Sequence, residues 1–510
     1  MSITTGARSP RIDLLTWPVV GPFLKWRHAR TAMQIPIFLL AALMIFDGLV
    51  GPQLAPKNLA TVGAWLHYRG LVVLALLVAG NLFCMACPFM LPRQAGRWLR
   101  ERFWGGGRPA PRLLLNKWLA IGLIIVFFFC YEYFSLWATP WWTAWVALAY
   151  FGVAFVVDTI FRGAAFCKYV CPLGQFNFFG SLISPLEIKV RQPAACDACR
   201  TKDCIQPAHV QVSAANSVSS VSPWSSSSQR GCELWLFQPR KAGNMDCTFC
   251  LDCIHACPHD NVGFIARTPT SELWIDPYRS GIGRFSQRVD LAGLVVVFTF
   301  GAFLNAFNMI KPVHALQATL AQALRTTSPA PGLVWIFTLG LIVLPVCLLG
   351  AAALASRALG GVEGERVSDN ILRYVYGLVP MGFGMWLAHY SFHFLTGGLT
   401  IVPVIQSFLA DVGLFSGKVQ WGLGALVPPE WLFPIEAVLL YLGTFGSIVA
   451  AFQIAQGRMP PDEPQARRAI LGAALPWIVL VLLLLGFGLW IMLQPMDMRG
   501  TMQMVSGVRG

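Results

Sequence analysis

The sequence predicts an all-α membrane protein of about nine transmembrane helices, interrupted by one small α+β insert. Three observations carry this. Of 510 residues, 56% are apolar and only 12% are charged, about half the charged share of ordinary soluble domains. The apolar residues gather in runs of roughly 20, the length that suits a hydrocarbon layer of about 30 Å. Between the fourth and fifth runs lies a long polar stretch rich in cysteine. The runs lack strand-type alternation, so helices are expected rather than a barrel.

In chain order the expected spans are 33–51, 69–90, 113–136, 142–161, 289–310, 333–356, 371–395, 434–456 and 469–493. The first follows a basic leader with no small-residue cleavage site, so a retained anchor is expected. Orientation follows from Lys and Arg counted loop by loop. Leaving out the long 162–288 stretch, one set of loops carries 18 and the other 7. The richer set, which includes the N-terminus and the insert, is expected on the cytoplasmic side, and the C-terminus outside. This bias accounts for the net charge of +14, so no nucleic-acid partner is expected; the partner is membrane lipid. Four units follow: a basic leader 1–32, a four-helix membrane unit 33–185, an insert 186–285 and a five-helix membrane unit 286–510.

Eight of the 14 cysteines fall between Cys196 and Cys257. Residues 247–258 read CTFCLDCIHACP, the C-x2-C-x2-C-x3-C-P spacing of a [4Fe–4S] cluster. Zinc sites use two separated pairs instead. Upstream, CDACRTKDC at 196–204 precedes a Ser-rich stretch, 211–230, and then Cys232. Two runs of this kind match a two-cluster ferredoxin-like module, in which the fourth Cys of each run serves the other cluster. One cluster would use Cys196, Cys199, Cys204 and Cys257; the other would use Cys247, Cys250, Cys253 and Cys232. His255 and His259 are expected to be ordinary loop histidines.

Spans two and four run into FCMACP at 83–88 and FCKYVCP at 166–172, a weak internal repeat. Cys84, Cys87, Cys167 and Cys171 would then meet beside the insert as a further metal or iron–sulfur centre, a dithiol couple or a transient metal site. Inert packing is the plain alternative. Cys130 and Cys347 stand alone and are expected only to pack. In the second half, His389 and His393 lie one turn apart near the outer end of span seven, with His67 and His314 on the same side. Copper, haem b, a quinol site and plain interhelical hydrogen bonding all remain open for them. Met496, Met498, Met502 and Met504 form a thioether-rich tail, a Cu(I)-favouring chemistry. Asp158 and Arg162, spaced i, i+4, are expected to form an ion pair. Glu132 and Glu436 fall near the outer boundary. No P-loop, dinucleotide fingerprint or nucleophile elbow is present.

FCKYVCPLGQFN followed by the two cysteine runs resembles the membrane polyferredoxins of the NapH/NosR type, over about residues 69–265. The resemblance implies two [4Fe–4S] clusters and electron transfer in a bacterial cytoplasmic (inner) membrane, supporting a respiratory or metalloenzyme system. Electrons would pass between a soluble donor or quinol and a membrane or outer-side acceptor. The chain would then be an electron-transfer component of an oxidoreductase system. A cousin group implies a second reading, a copper-reducing maturation factor. A redox-sensing transporter is a third.

Overall fold

The computed structural model describes residues 12–205, 231–360, 364–457 and 466–496. Eight helical stretches are long and apolar enough to cross a membrane: α1 (Ala29–Val50), α2 (Leu59–Ala79), α4 (Pro140–Ile160), α5 (Val289–Phe307), α6 (Ala330–Gly360), α7 (Val367–Asp411), α8 (Pro429–Gln456) and α9 (Arg467–Leu493). A further apolar helix, α3 (Trp118–Tyr133), has 16 residues. The Ser-rich stretch 211–230 and Met498, Met502 and Met504 lie outside the described residues.

The two membrane units meet along α2–α7 and α3–α5, while α7–α8, α8–α9 and α6–α9 build the second half. Small residues allow close approach. A Cβ on Gly384 would sit 3.1 Å from Gly443 Cα, and one on Gly443 only 2.7 Å from the Pro380 carbonyl. The helices therefore pack backbone to backbone, the contact that membrane bundles favour. The helix α5 is almost wholly buried at the centre.

The second span differs from the sequence expectation of 69–90. It begins ten residues earlier, where Asn58 caps it by accepting from Ala60 N. It ends at Gly80, whose φ of +64° breaks the helix. Arg69 and His67, expected in the preceding loop, are therefore inside the span. Arg69 donates to the Tyr131 hydroxyl at 3.0 Å, with its guanidinium over the Trp65, Tyr131 and Tyr390 rings. Cation–π contacts replace the water that a charge in this position would lose. Likewise, helices at Lys311–Ala323 and Ile401–Asp411 occupy segments expected to be loops.

The described part of the insert, 186–205 and 231–285, is mostly irregular. Its regular core is an antiparallel pair, β1 (Leu186–Val190) with β2 (Val262–Ala266), registered Ile188 opposite Phe264. It is clamped onto the membrane unit by buried charges. Lys117 Nζ, at the start of α3, donates to Asp246 Oδ1 at 2.7 Å and to the Lys168 carbonyl at 2.6 Å. Lys168 Nζ in turn reaches the Leu234 carbonyl at 2.7 Å.

An amphipathic helix, Met90–Phe103, packs along α4 and turns Arg93, Arg97 and Arg100 inward. This corrects the expected Asp158–Arg162 pair. Asp158 Oδ2 instead receives Arg93 Nε at 2.5 Å and Arg97 Nη2 at 2.9 Å, and its Oδ1 receives Phe166 N at 3.0 Å. Arg162 is exposed and donates to the Gly107 carbonyl. The i, i+4 partner loses because Asp158 faces the protein, where two arginines from another helix can satisfy it fully.

Candidate functional site

All 14 cysteines are free thiols, and 12 of them gather into three neighbourhoods at one end of the bundle. The first comprises Cys196, Cys199, Cys204 and Cys257, which line one small cavity of about 20 Å³ together with His259 and Asn261. Asn261 ties two of its strands together. Its backbone N donates to Cys257 Sγ at 3.3 Å and its Nδ2 to Cys196 Sγ at 3.2 Å. The Cys204 sulfur accepts from a backbone amide at Gln238, and Cys199 from Lys202, which lowers the Cys199 thiol pKa.

In the second neighbourhood, Cys250 and Cys253 are each within electrostatic range of Cys232, and Cys253 is within range of Cys247 as well. The loop that carries three of them is bent by non-glycine residues in the left-handed region, Phe249 at φ 55° and Leu251 at φ 62°. Such conformations cost about 1–3 kcal/mol each and cluster at ligand clamps. Here they surround Cys250, midway between the outer two thiols of the run. Burial pushes the Cys232 thiol up to about 11, against the lowering effect of the Leu236 amide. Cys232 N also bonds the Cys204 carbonyl at 2.9 Å, joining the first neighbourhood to the second. Cys257 thus lies with the first run and Cys232 beside the second.

The third neighbourhood unites the two membrane-face pairs. Cys87 is within electrostatic range of Cys84, Cys167 and Cys171. Cys84 also feels Cys247, which links this group to the second, and burial pushes its thiol up to about 12. Gly80 makes this approach possible, since a Cβ there would meet the Phe249 ring at 2.7 Å. Cys167 Sγ accepts from Arg93 Nη1 at 3.0 Å, so the buried arginine–carboxylate network reaches the thiols. The network continues through Glu233. Burial alone would raise that carboxyl, but Arg97, Arg93 and Arg30 hold it well below the usual range. Arg30 also binds Asp252 through both carboxylate oxygens at 3.1 Å, beside Cys250.

At the opposite end of the bundle, a cavity of about 170 Å³ opens among α2, α3, α7 and the segments near His314 and Met496. Arg69, Tyr131, Glu132, His314 and His393 supply polar groups to its otherwise aromatic and apolar wall. His389 and His393 do share a helix face, with ring centroids 4.8 Å apart. Both are buried, and both His389 nitrogens and His393 Nε2 lack a hydrogen-bond partner. His67 is instead engaged by the Val62 and Gly398 carbonyls at 3.0 and 2.9 Å. Glu436 is buried on α8, and its Oε1 has no hydrogen-bond partner.

Among the described residues, no group of three or more His, Cys, Asp or Glu side chains is arranged to hold a metal ion. What the geometry offers instead is three sets of thiols, each set in one buried or half-buried neighbourhood. Sequence reasoning did not single out Asn261, Asn177 or Arg93, the groups that donate to the sulfurs. The only signal for Arg93 was its place in a basic loop, where it counted toward topology. Comparison with protein-family models, with curated proteins and with solved structures finds no match for this chain.

Proposed function

We propose that this chain is an integral-membrane iron–sulfur electron-transfer protein, akin to the NapH/NosR polyferredoxins, with two ferredoxin-type [4Fe–4S] clusters in its insert. The reading rests on one observation above all: the crossed sorting of the eight insert thiols into two sets of four. Cys196, Cys199, Cys204 and Cys257 would hold one cluster, and Cys232, Cys247, Cys250 and Cys253 the other. Such clusters take up and release electrons one at a time at potentials set by charge, hydrogen bonds and exposure.

The protein's own residues supply those terms. Asp252, paired with Arg30, and Lys241 set the charge beside the second set. Asn261 fixes two ligands of the first set. The first set lies nearer the surface, with Cys199 half-exposed, and is the natural entry or exit for a soluble donor or acceptor. In the orientation that the basic loops favour, this end faces the cytoplasm of a bacterial inner membrane. The cavity at the other end, with its aromatic walls and its Arg, Tyr and His groups, suits an amphiphilic ring such as quinol. His314, His393, Met309 and Met496 in that same cavity also favour the second reading, copper handling on the outer side.

The test is metal and sulfide content per chain after anaerobic purification in detergent, with an EPR spectrum after reduction. Iron and sulfide of about 8 or more, with interacting [4Fe–4S] signals, supports the electron-transfer reading. Zinc in place of iron overturns it, and stoichiometric copper without iron favours the second reading.

A further inference from the structure

We infer that Cys84, Cys87, Cys167 and Cys171 hold a third thiolate-ligated iron–sulfur cluster, at the junction of the insert and the membrane helices. This deepens the electron-transfer reading and rests on it.

The first argument is assembly. Two pairs separated by 80 residues of chain converge on one spot. Each pair follows the end of a membrane helix, one after α2 and one after α4. Packing alone needs no such convergence.

The second argument is the donors. Every one of the four sulfurs accepts an N–H. Cys84 takes Asn177 Nδ2 at 3.3 Å, Cys167 takes Arg93 Nη1 at 3.0 Å, and Cys171 takes Gly174 N at 3.2 Å. Cys87 takes the Phe89 amide. The same N–H to sulfur pattern recurs at Cys196, Cys257, Cys204, Cys232 and Cys247 in the insert. Such donors suit sulfurs that carry negative charge, as ligating thiolates do, and they tune cluster potentials.

The third argument is backbone. Cys87, Cys171 and Cys257 each end a short helix, are each followed by Pro, and share one conformation. Their φ and ψ are −58° and 128°, −66° and 110°, and −74° and 111°. A following proline holds each of the three in this extended conformation, so each Cys-Pro step turns the chain away from its sulfur at the same kind of bend. The low-dielectric surroundings disfavour four bare thiolates, and ligand sets of thiolate without carboxylate or imidazole select iron–sulfur or other soft-metal centres. Position adds purpose. Cys84 neighbours Cys247 of the second insert set, so the three sets form a continuous file from the insert to the membrane helices.

The experiment measures iron and acid-labile sulfide on the full chain, purified anaerobically in detergent, for the natural protein and for Cys167→Ser/Cys171→Ser. The expected result is about 12 iron atoms per chain, falling to about 8 in the variant with both insert signals retained. A second variant, Cys84→Ala/Cys87→Ala, should fall to the same level. Should neither variant be recoverable in folded form, spin quantitation of the reduced natural protein decides between three centres and two. About 8 iron atoms in the natural protein, unchanged by the substitutions, overturns this inference and leaves the two-cluster reading standing. One copper or zinc per chain that disappears with the four cysteines also overturns it. Iron near zero removes both readings together.

Discussion

Replacing Asp158 by Ala should be among the most damaging single changes outside the cysteines. The carboxylate is fully buried at the end of α4 and is held at 2.5 Å by Arg93 and 2.9 Å by Arg97. Its other oxygen receives the Phe166 amide at 3.0 Å. Removing it strands two buried guanidinium groups, and breaking a buried pair from one side costs about 3–5 kcal/mol. Glu233 still contacts Arg97 and lies 3.9 Å from Arg93, which places the expected loss near the lower bound, about 3 kcal/mol. That is roughly a hundredfold in the folding equilibrium. The assay is equilibrium unfolding in mixed micelles followed by tryptophan fluorescence, with Arg162→Ala alongside. Arg162 is the partner that helix spacing assigns to Asp158, yet its side chain donates to the Gly107 carbonyl instead. Its removal should cost less than about 1 kcal/mol. Equal losses for the two variants, or a loss below about 1 kcal/mol for Asp158→Ala, would refute the reasoning.

Three further outcomes are expected. Glu187 is held below the usual carboxylate range: burial alone would raise it, but Lys241, Lys189 and Arg267 outweigh burial. Its contribution is therefore complete above about pH 4.3 and is lost as pH falls toward its lower native value. Glu187→Gln should flatten the acid side of the unfolding profile, and parallel profiles would count against the pairing. Lys117→Met should loosen the insert from the membrane unit by about 3–5 kcal/mol, since Asp246 is left buried and unpaired. Lys117→Met with Asp246→Leu should recover much of that loss, as read by limited proteolysis of the insert; a double variant no better than the single would argue against the clamp. Gly443→Val should drive α7 and α8 apart, because even a Cβ there lies 2.7 Å from the Pro380 carbonyl. A variant that keeps its natural melting midpoint in detergent would show that this contact is not tight.

Much of the membrane architecture was legible in the chain, because a 20-residue apolar run is a local signal that needs no partner. All nine apolar runs recur as helices, although α3 is shorter than expected. The main displacement is α2, where Arg69 and His67 read as loop residues. Their burial depends on Tyr131, Trp65 and the Gly398 carbonyl, which are remote in sequence. Cys257 lies beside Cys196, Cys199 and Cys204 and not beside Cys253, four residues away, a placement that short-loop reach does not dictate. The meeting of Cys84 and Cys87 with Cys167 and Cys171 was only one of several arrangements that their repeat allowed.

By itself, then, the sequence determined that the chain is built of apolar helices of membrane-spanning length, and where most of them run. These are short-range properties, written in hydrophobic period and residue spacing. Only the tertiary structure decided which charges face inward and what they bind. Arg93, Arg97 and Lys117 look like loop cations of the kind that orient membrane proteins. They become buried partners because Asp158, Glu233 and Asp246 arrive from elsewhere in the chain. A buried charge is tolerable only once its counter-charge is in place, and that condition is met in space rather than along the sequence.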